Sequence, residues 1–293
     1  MTDLRSALAG AVLSVALALP IAAAAQQAPP PPDKSGFTLF DPTPTADLRP
    51  FCVDRPTKST SPCTVDAGHV QIETDLADVT YDRSGGATMT TWLIADPTLK
   101  LGLANTLDVE LSIAPVEIVT VRDRATGRSS RQSGVGDLFA RLKWSLIGDD
   151  GGAVGFALVP YIKAPTASAG LGDGAVEGGL IAPLSVNLPM NVQLVTDPEV
   201  DLVRDAVGGG HHVNTSGLIG LSRPISKAVT LSVELWSDID FDPAGRTTQV
   251  SADLGAAWIP PSRPNIQFDG GVNLGLNNRT PGLQAYVGVS RRF

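Results

Sequence analysis

The sequence predicts an all-β protein, a transmembrane up-and-down antiparallel β-barrel of about twelve strands. Three observations predict it. The N-terminus carries an apolar stretch typical of an export signal, apolar and polar side chains alternate along most of the chain, and the chain ends on such a strand with an aromatic residue, Phe293. Composition agrees, because 30 glycines and 23 prolines suit many short strands joined by turns.

The charge balance excludes one class of partner. The formal net charge is -8 at pH 7. Binding to nucleic acid depends mainly on basic side chains that neutralise phosphates. No nucleic-acid partner is therefore expected.

Residues 1–25 are predicted to be a cleaved signal peptide. Arg5 precedes the apolar stretch, and Ala23 and Ala25 supply the small residues that cleavage after Ala25 requires. A membrane anchor is the alternative interpretation, since the stretch is nearly long enough to span a bilayer. Pro20 and the run of alanines that follows it favour the signal peptide.

Residues 26–66 are predicted to form a proline-rich linker and an irregular periplasmic segment, followed by the barrel over residues 67–293. Cys52 and Cys63 are the two cysteines of the chain. In an exported protein, such a close pair predicts one disulfide that closes a small loop; two free thiols are the alternative. Without nearby histidines the pair is a poor zinc site, and neither a metal nor a cofactor is expected.

Residues 228–241 show the alternation most clearly. Apolar side chains from Val229 to Phe241 occupy every second position and polar ones lie between them, with Ser237 as the one interruption. Helical spacing would mix these two sets, so the pattern predicts a strand. Twelve such strands are predicted, at residues 68–82, 87–103, 107–121, 134–147, 153–163, 174–187, 190–200, 211–222, 227–241, 246–258, 264–275 and 282–293.

The connections between these segments predict an orientation. Short turns near 104–106, 188–190 and 223–226 alternate with longer, glycine-rich loops near 164–173 and 201–210. Outer-membrane barrels have short periplasmic turns and longer outer loops. The N- and C-terminal ends of the barrel are therefore expected on the periplasmic side.

Alternation alone also fits a soluble barrel, whose apolar face points inward. The aromatic residues favour the membrane. With both ends of the barrel in the periplasm, Trp144, Trp258 and Phe293 fall on the apolar face at the periplasmic end, where they predict a membrane girdle. Phe241 is expected at the outer boundary.

Four stretches carry a family resemblance. "CTVDAGHVQIETD" (63–75), "SGVGDLFARLKWSL" (133–146), "APLSVNLP" (182–189) and the closing "AYVGVSRRF" resemble outer-membrane transporters linked to phenol meta-cleavage pathways. The resemblance covers roughly residues 50–293. It implies a porin-like β-barrel channel of Gram-negative bacteria that takes up small solutes, aromatic ones among them, and it brings no catalytic residues.

The resemblance and the barrel pattern also predict the surroundings of the protein. The location is the bacterial outer membrane, and the partners are membrane lipid and a small-molecule solute. The terminal aromatic strand resembles the signal read by the outer-membrane assembly machinery, which makes that machinery a further expected partner. Arg291 departs from the usual ending, where its position is normally apolar, and fits only if its side chain reaches the interface.

The polar face is expected to line a lumen whose charges select solutes. Approximate register places Glu234 beside Asp253, Asp253 beside Asp269, and Arg292 as the nearest counter-ion of this acidic strip. Arg141 and Lys143 lie on the facing wall. The predicted lumen and solute-path residues are Glu73, Asp75, Arg141, Lys143, Glu234, Asp253, Asp269 and Arg292.

Two interpretations of these charges stay open. Opposed walls create a field that orients and selects solutes; alternatively the charges only pair with neighbours, and Lys143 is within reach of Glu110 on the preceding strand. His211 and His212 are expected in a solvated outer loop. No Ser–His pair suited to catalysis is evident, so no enzyme is predicted.

The sequence thus predicts a channel or transporter for small solutes, selective by lumen size and charge. Two alternatives remain at this point. One is a plugged outer-membrane barrel with a structural or adhesive role, and the other is a soluble periplasmic barrel that binds a ligand.

Overall fold

The computed structural model describes residues 33–293; the predicted signal peptide and the start of the linker lie outside these residues. Two short 3-10 helices, Thr45–Asp47 and Pro189–Asn191, accompany the strands. In the described part, no helix has the length and apolar character needed to cross a membrane. The strand segments are β1 (Val70–Asp82), β2 (Ala87–Ala104), β3 (Leu107–Ile113), β4 (Val116–Asp123), β5 (Ser129–Gly134), β6 (Leu138–Ile147), β7 (Val154–Ala164), β8 (Glu177–Ile181), β9 (Leu184–Leu188), β10 (Val192–Thr196), β11 (Glu199–Arg204), β12 (His211–Pro224), β13 (Val229–Asp240), β14 (Thr247–Trp258), β15 (Ile266–Gly275) and β16 (Leu283–Arg292).

These sixteen segments form twelve barrel strands. Four strands are each interrupted once, and their halves are β3 and β4, β5 and β6, β8 and β9, and β10 and β11. All pairings are antiparallel, and β1 pairs with both β2 and β16, which closes the sheet. The predicted closed, twelve-stranded, all-β fold is confirmed.

Three of the four interruptions contain a proline. Pro115 separates β3 from β4, Pro183 separates β8 from β9, and Pro198 separates β10 from β11. Proline cannot donate a ladder hydrogen bond, so pairing stops at these positions and resumes beyond them. Pro97, by contrast, lies within β2 opposite Thr74, and that strand continues through it.

The barrel is apolar outside and polar inside. On β13, Leu231, Val233 and Leu235 are 43%, 49% and 50% exposed, whereas the intervening Glu234 is 6% exposed. Soluble proteins place the same alternation the other way round. A wall that presents leucine and valine outward is suited to hydrocarbon, which excludes the soluble barrel.

Aromatic side chains stand on the outer surface at one end. Trp144, Trp258 and Phe293 are about half exposed there, and Phe268 stacks on Trp258 with ring centroids 5.6 Å apart. Phe241 lies at the other end of the barrel, where β13 finishes. The arrangement agrees with the girdle that the sequence predicts, whose role in the membrane stays a prediction.

Residues 49–66, called here the inserted segment, lie inside the barrel. Cys52 and Cys63 are joined by a disulfide at the base of this loop. Its side chains bond to lumen-facing residues of β6, β14 and β15. The sequence predicts a periplasmic position for these residues. In the structure they lie in the lumen, where Asp54, Arg55 and Lys58 find buried partners of opposite sign.

Candidate functional site

A cluster around two buried lysines forms one wall of the lumen. The Lys143 ammonium lies 3.0 Å from a Glu110 oxygen and 2.8 Å from an Asp54 oxygen. Lys100 contacts Glu73 at 2.6 Å and also pairs with Asp54. Because each lysine has carboxylates on both the wall and the inserted segment, this lysine cluster ties the segment to β1, β2, β3 and β6.

The electrostatics of Asp54 follow from this position. Burial alone would raise the pKa of Asp54, but the charges of Lys100 and Lys143 outweigh it and hold that pKa well below its usual range. Asp54 is therefore ionised at neutral pH. Its second role is structural, since its carboxylate also accepts the backbone N–H of Ser61 at 2.7 Å and so shapes the loop.

The facing wall carries the acidic strip, and the inserted segment supplies its cations. The Arg55 guanidinium lies 2.8 Å from Asp269 and 2.7 Å from Asp75. The Lys58 ammonium lies 3.1 Å from Asp253. These ion pairs hold the loop against β1, β14 and β15.

The acidic strip differs from the predicted arrangement in the register of β15. Glu234 does lie opposite Asp253, but Asp253 faces Asn273 and Asp269 faces Ala257, so the two aspartates are not neighbours. The predicted register was wrong by four residues on β15, because a slip by an even number of residues leaves every side chain on the same face and alternation cannot detect it.

Arg292 is not the counter-ion of the strip. Its guanidinium lies 3.2 Å from Asp66 and donates to Asn265 at 2.8 Å. Asp66 belongs to the inserted segment, where no periodic pattern marks a residue as inward-facing. The missed counter-ions, Arg55 and Lys58, come from the same segment, so alternation could not identify them.

The contacts of Arg141 differ from those of Lys143, the other basic residue predicted on the same wall. It donates to Ser112 at 2.8 Å and lies over the Phe139 ring at 5.2 Å. Within residues 33–293, no carboxylate lies close enough to form a salt bridge with it. Its charge therefore faces the lumen.

The inserted segment divides the lumen into two cavities. One, of about 340 Å³, opens toward the β12–β13 turn, and the other, of about 330 Å³, lies beyond the segment and is lined by Arg141, Glu199 and Trp236. The two cavities share lining residues, all from the segment: Asp54, Arg55, Thr57, Ser59 and Thr60. This short loop is thus the barrier between them.

A family model decides the relationship of the chain. The model described as "Putative MetA-pathway of phenol degradation" matches residues 53–293. The chain belongs to this family. The match includes most of the inserted segment as well as the whole barrel, and it confirms the resemblance found in the sequence.

One solved structure has the same fold as this chain. An outer membrane channel from Pseudomonas putida F1 is similar with a TM-score of 0.59 and 16% identity, over 82% of this chain and 100% of that one. The translocator domain of the autotransporter NalP from Neisseria meningitidis has a TM-score of 0.48 and 17% identity, over 77% and 88% of the two chains. No curated protein sequence matches the chain.

The fold, the apolar outer wall and the family together locate the protein in the bacterial outer membrane. The rule for such barrels predicts that the end with the short turns and Phe293 is periplasmic. In that orientation the cavity beside the β12–β13 turn faces the periplasm, and the cavity lined by Trp236 faces the outside.

His212 lies in a strand and is buried, whereas the sequence predicts a solvated loop at this position. It is the second residue of β12 and is 9% exposed, with Nδ1 2.9 Å from Asp205 and Nε2 2.7 Å from Asp240. His212, Asp240 and Asp242 form a group whose ligand atoms lie within 4.8 Å of one another. Both ring nitrogens already have carboxylate partners, so hydrogen bonding accounts for the group and no metal is assigned.

Proposed function

We propose that this family member is an outer-membrane channel through which small solutes pass by passive or facilitated diffusion. The observation that carries the proposal is the pair of lumen cavities separated only by the inserted segment. Each has the volume of a small-molecule site, about 300 Å³ or more. A solute that reaches the outer cavity needs only the loop to move in order to enter the inner one.

Selection would follow from size and from the charges on the walls. The loop restricts the width of the path. The lumen residues predicted from the sequence differ in whether a solute can contact them. Arg141 and Asp75 line the outer cavity, whereas Lys143 and Arg292 are held in buried ion pairs. No covalent chemistry is proposed.

Aromatic compounds are proposed among the solutes because the family description refers to phenol degradation. The side chains of the lumen support this choice. Trp236 lines the outer cavity, and Phe139 lies under the unpaired Arg141 guanidinium, so an aromatic ring finds both a stacking surface and a cation there.

The proposed organisation of the chain follows the sequence analysis, with a signal peptide at 1–25, a linker and disulfide segment at 26–66 and the barrel at 67–293. Recognition by the assembly machinery is proposed for the last strand. Its awkward residue, Arg291, lies over the Phe293 ring at 4.4 Å. That contact places the charge at the rim beside an aromatic residue and makes it tolerable there.

A closed structural barrel is the second candidate, and the ion pairs of the inserted segment favour it. Conductance across planar bilayers separates the two. We expect small conductance from the wild type and several-fold larger conductance from the double variant Arg55→Ala/Lys58→Ala, in which the loop loses its ties to the acidic strip.

The matched control is Arg83→Ala/Arg128→Ala, which removes two exposed cations that line neither cavity. Liposome swelling with phenol, benzoate and glucose then ranks the solutes. If neither the wild type nor the loop variant conducts ions or admits any of the three, the barrel is closed and the channel proposal fails.

A further inference from the structure

The acidic wall holds the ammonium group of Lys58 in a defined pocket. Glu234 lies opposite Asp253 and Trp236 opposite Ser251, so two neighbouring strands present four lumen-facing side chains as one patch. Lys58 donates to Ser251 Oγ at 2.7 Å and to the two Asp253 oxygens at 3.1 and 3.3 Å.

Trp236 and Glu234 complete this pocket. The Lys58 ammonium lies 4.4 Å from the centre of the Trp236 ring, within the range of a cation–π interaction. Glu234 accepts the Lys58 backbone N–H at 3.1 Å and so sets where the side chain begins. A hydroxyl, a buried carboxylate and an indole face are the groups that recognise a primary ammonium.

The occupant belongs to the loop and the pocket belongs to the wall. Asp253 is 1% exposed and Ser251 also 1%, whereas the Lys58 side chain keeps 26% of its surface accessible. Burial lowers the pKa of Lys58, and the Asp253 charge offsets this only in part. The wall is thus fixed, and its cation is partly open to the lumen.

Solutes can reach this ammonium from outside. Lys58 lines two further cavities, of about 190 and 120 Å³, and the smaller one extends to Thr280 and Pro281 in the outer β15–β16 loop. Carboxylates on the lumen face of the outer half, such as Asp238 and Glu199, attract cations toward the same region.

We infer that the pocket formed by Trp236, Ser251, Asp253 and Glu234 binds solutes that carry a primary ammonium group, which take the place of Lys58. The inference rests on the proposed channel function and names a class of solute for it. The exchange replaces one ammonium by another, so Asp253 keeps a cation throughout and no bond is made or broken. Release of Lys58 frees one side of the inserted segment.

Binding of n-butylammonium tests the inference, because this molecule is the lysine side chain without its backbone. Trp236 is the one lumen-facing tryptophan of the four, so its fluorescence reports occupancy in detergent-solubilised full-length protein. We expect saturable quenching in the wild type that is lost in Trp236→Phe. In Lys58→Ala, where no tethered cation competes, the apparent Kd should fall about tenfold or more.

Three controls make the result specific. Arg128→Ala removes an exposed cation in the β4–β5 turn and should bind like the wild type. Asp253→Asn should weaken binding at least tenfold, and n-butanol, which is uncharged, should not bind. All variants are first shown to change mobility on heating in a denaturing gel, which confirms that the barrel is folded.

Absence of saturable quenching in both wild type and Lys58→Ala overturns the inference, as does binding that Asp253→Asn leaves unchanged. Binding to Lys58→Ala alone overturns the exchange step. Bilayer conductance in potassium chloride is recorded on the same preparations. A conducting wild type without butylammonium binding defeats only this inference, whereas binding without conductance defeats only the proposed channel.

Discussion

The two charged walls of the lumen hold the inserted segment in different ways. The lysine cluster contains cations and anions of its own, since Lys100 and Lys143 contact Glu73 and Glu110 within the barrel. The acidic strip obtains its nearest cations, Arg55 and Lys58, from the segment. One wall is close to neutral without the loop, and the other depends on it for neutralisation.

This difference shows which contact anchors the loop and which can be exchanged. Asp54 contacts the lysine cluster, in which the barrel itself supplies two lysines and two glutamates. Its carboxylate is the third anion of that cluster. Lys58 lies over a site that any ammonium of suitable size would satisfy. The loop is therefore expected to pivot about Asp54 when the strip side is released.

The largest expected effect comes from the lysine cluster. Lys143→Met leaves Glu110 and Asp54 with one fewer buried cation, and removal of one partner from a buried pair costs about 3–5 kcal/mol. Urea unfolding of the protein in lipid vesicles measures the loss, with Lys227→Met as the exposed control. A loss below about 1 kcal/mol would mean that the cluster does not stabilise the fold.

A change in selectivity is expected from the acidic strip. In Asp253→Asn/Asp269→Asn, Lys58 loses its carboxylate partner and Arg55 keeps only Asp75, so the lumen becomes more positive. Reversal potentials across a salt gradient should shift toward anions, whereas Asp41→Asn, at an exposed site ahead of the barrel, should leave them unchanged. An unchanged reversal potential in the double variant would remove the strip from the selection mechanism.

A smaller effect is expected from the base of the loop. The Cys52–Cys63 disulfide limits how far residues 53–62 can spread. Cys52→Ser/Cys63→Ser should raise the frequency of channel openings a few-fold while the barrel stays heat-modifiable on gels. The reductant dithiothreitol, added to the wild type, should reproduce the change, and identical records with and without it would show that the loop does not control opening.

The smallest effect is expected from pH between 5 and 8. The pKa of Asp54 lies below its ordinary value of about 4, so its contribution to stability is fully present above that value and is lost only as the pH falls through the depressed folded pKa. Asp54→Asn should conduct more than the wild type, and the ratio of the two conductances should stay constant over this window, because the other carboxyls of the lumen titrate alike in both proteins. A ratio that falls toward one between pH 6 and 5 would contradict the assignment.

Much of the barrel is predictable from the sequence, because a strand with one polar face and one apolar face repeats a local pattern. The twelve strands, their inward glutamates and the outward tryptophans all follow from it. Pro183 interrupts a strand without changing which positions face outward, whereas across Pro115 the outward positions change from odd to even, from Leu111 to Val116. Neither interruption alters the strand count.

The contents of the lumen are much less predictable. Asp54, Arg55 and Lys58 lie in an aperiodic segment, and only the overall excess of acidic residues facing the lumen hints that cations must come from elsewhere. Lys100 was missed for a different reason. Proline usually interrupts a strand, so Pro97 obscures the pattern there, although in the structure β2 passes through that residue and Lys100 faces inward.

The seam between the first and last strands sets an order of events. Ten residues of β1 pair with β16, and the Phe293 backbone N–H donates to Val70 at 2.8 Å, so the ring closes only when the final residue of the chain is in place. The inserted segment joins the barrel directly ahead of β1, at that same seam. We therefore expect the inserted segment to be enclosed when β1 pairs with β16. A chain that lacks its last strand would lose both the closed wall and the contacts that hold the segment in the lumen.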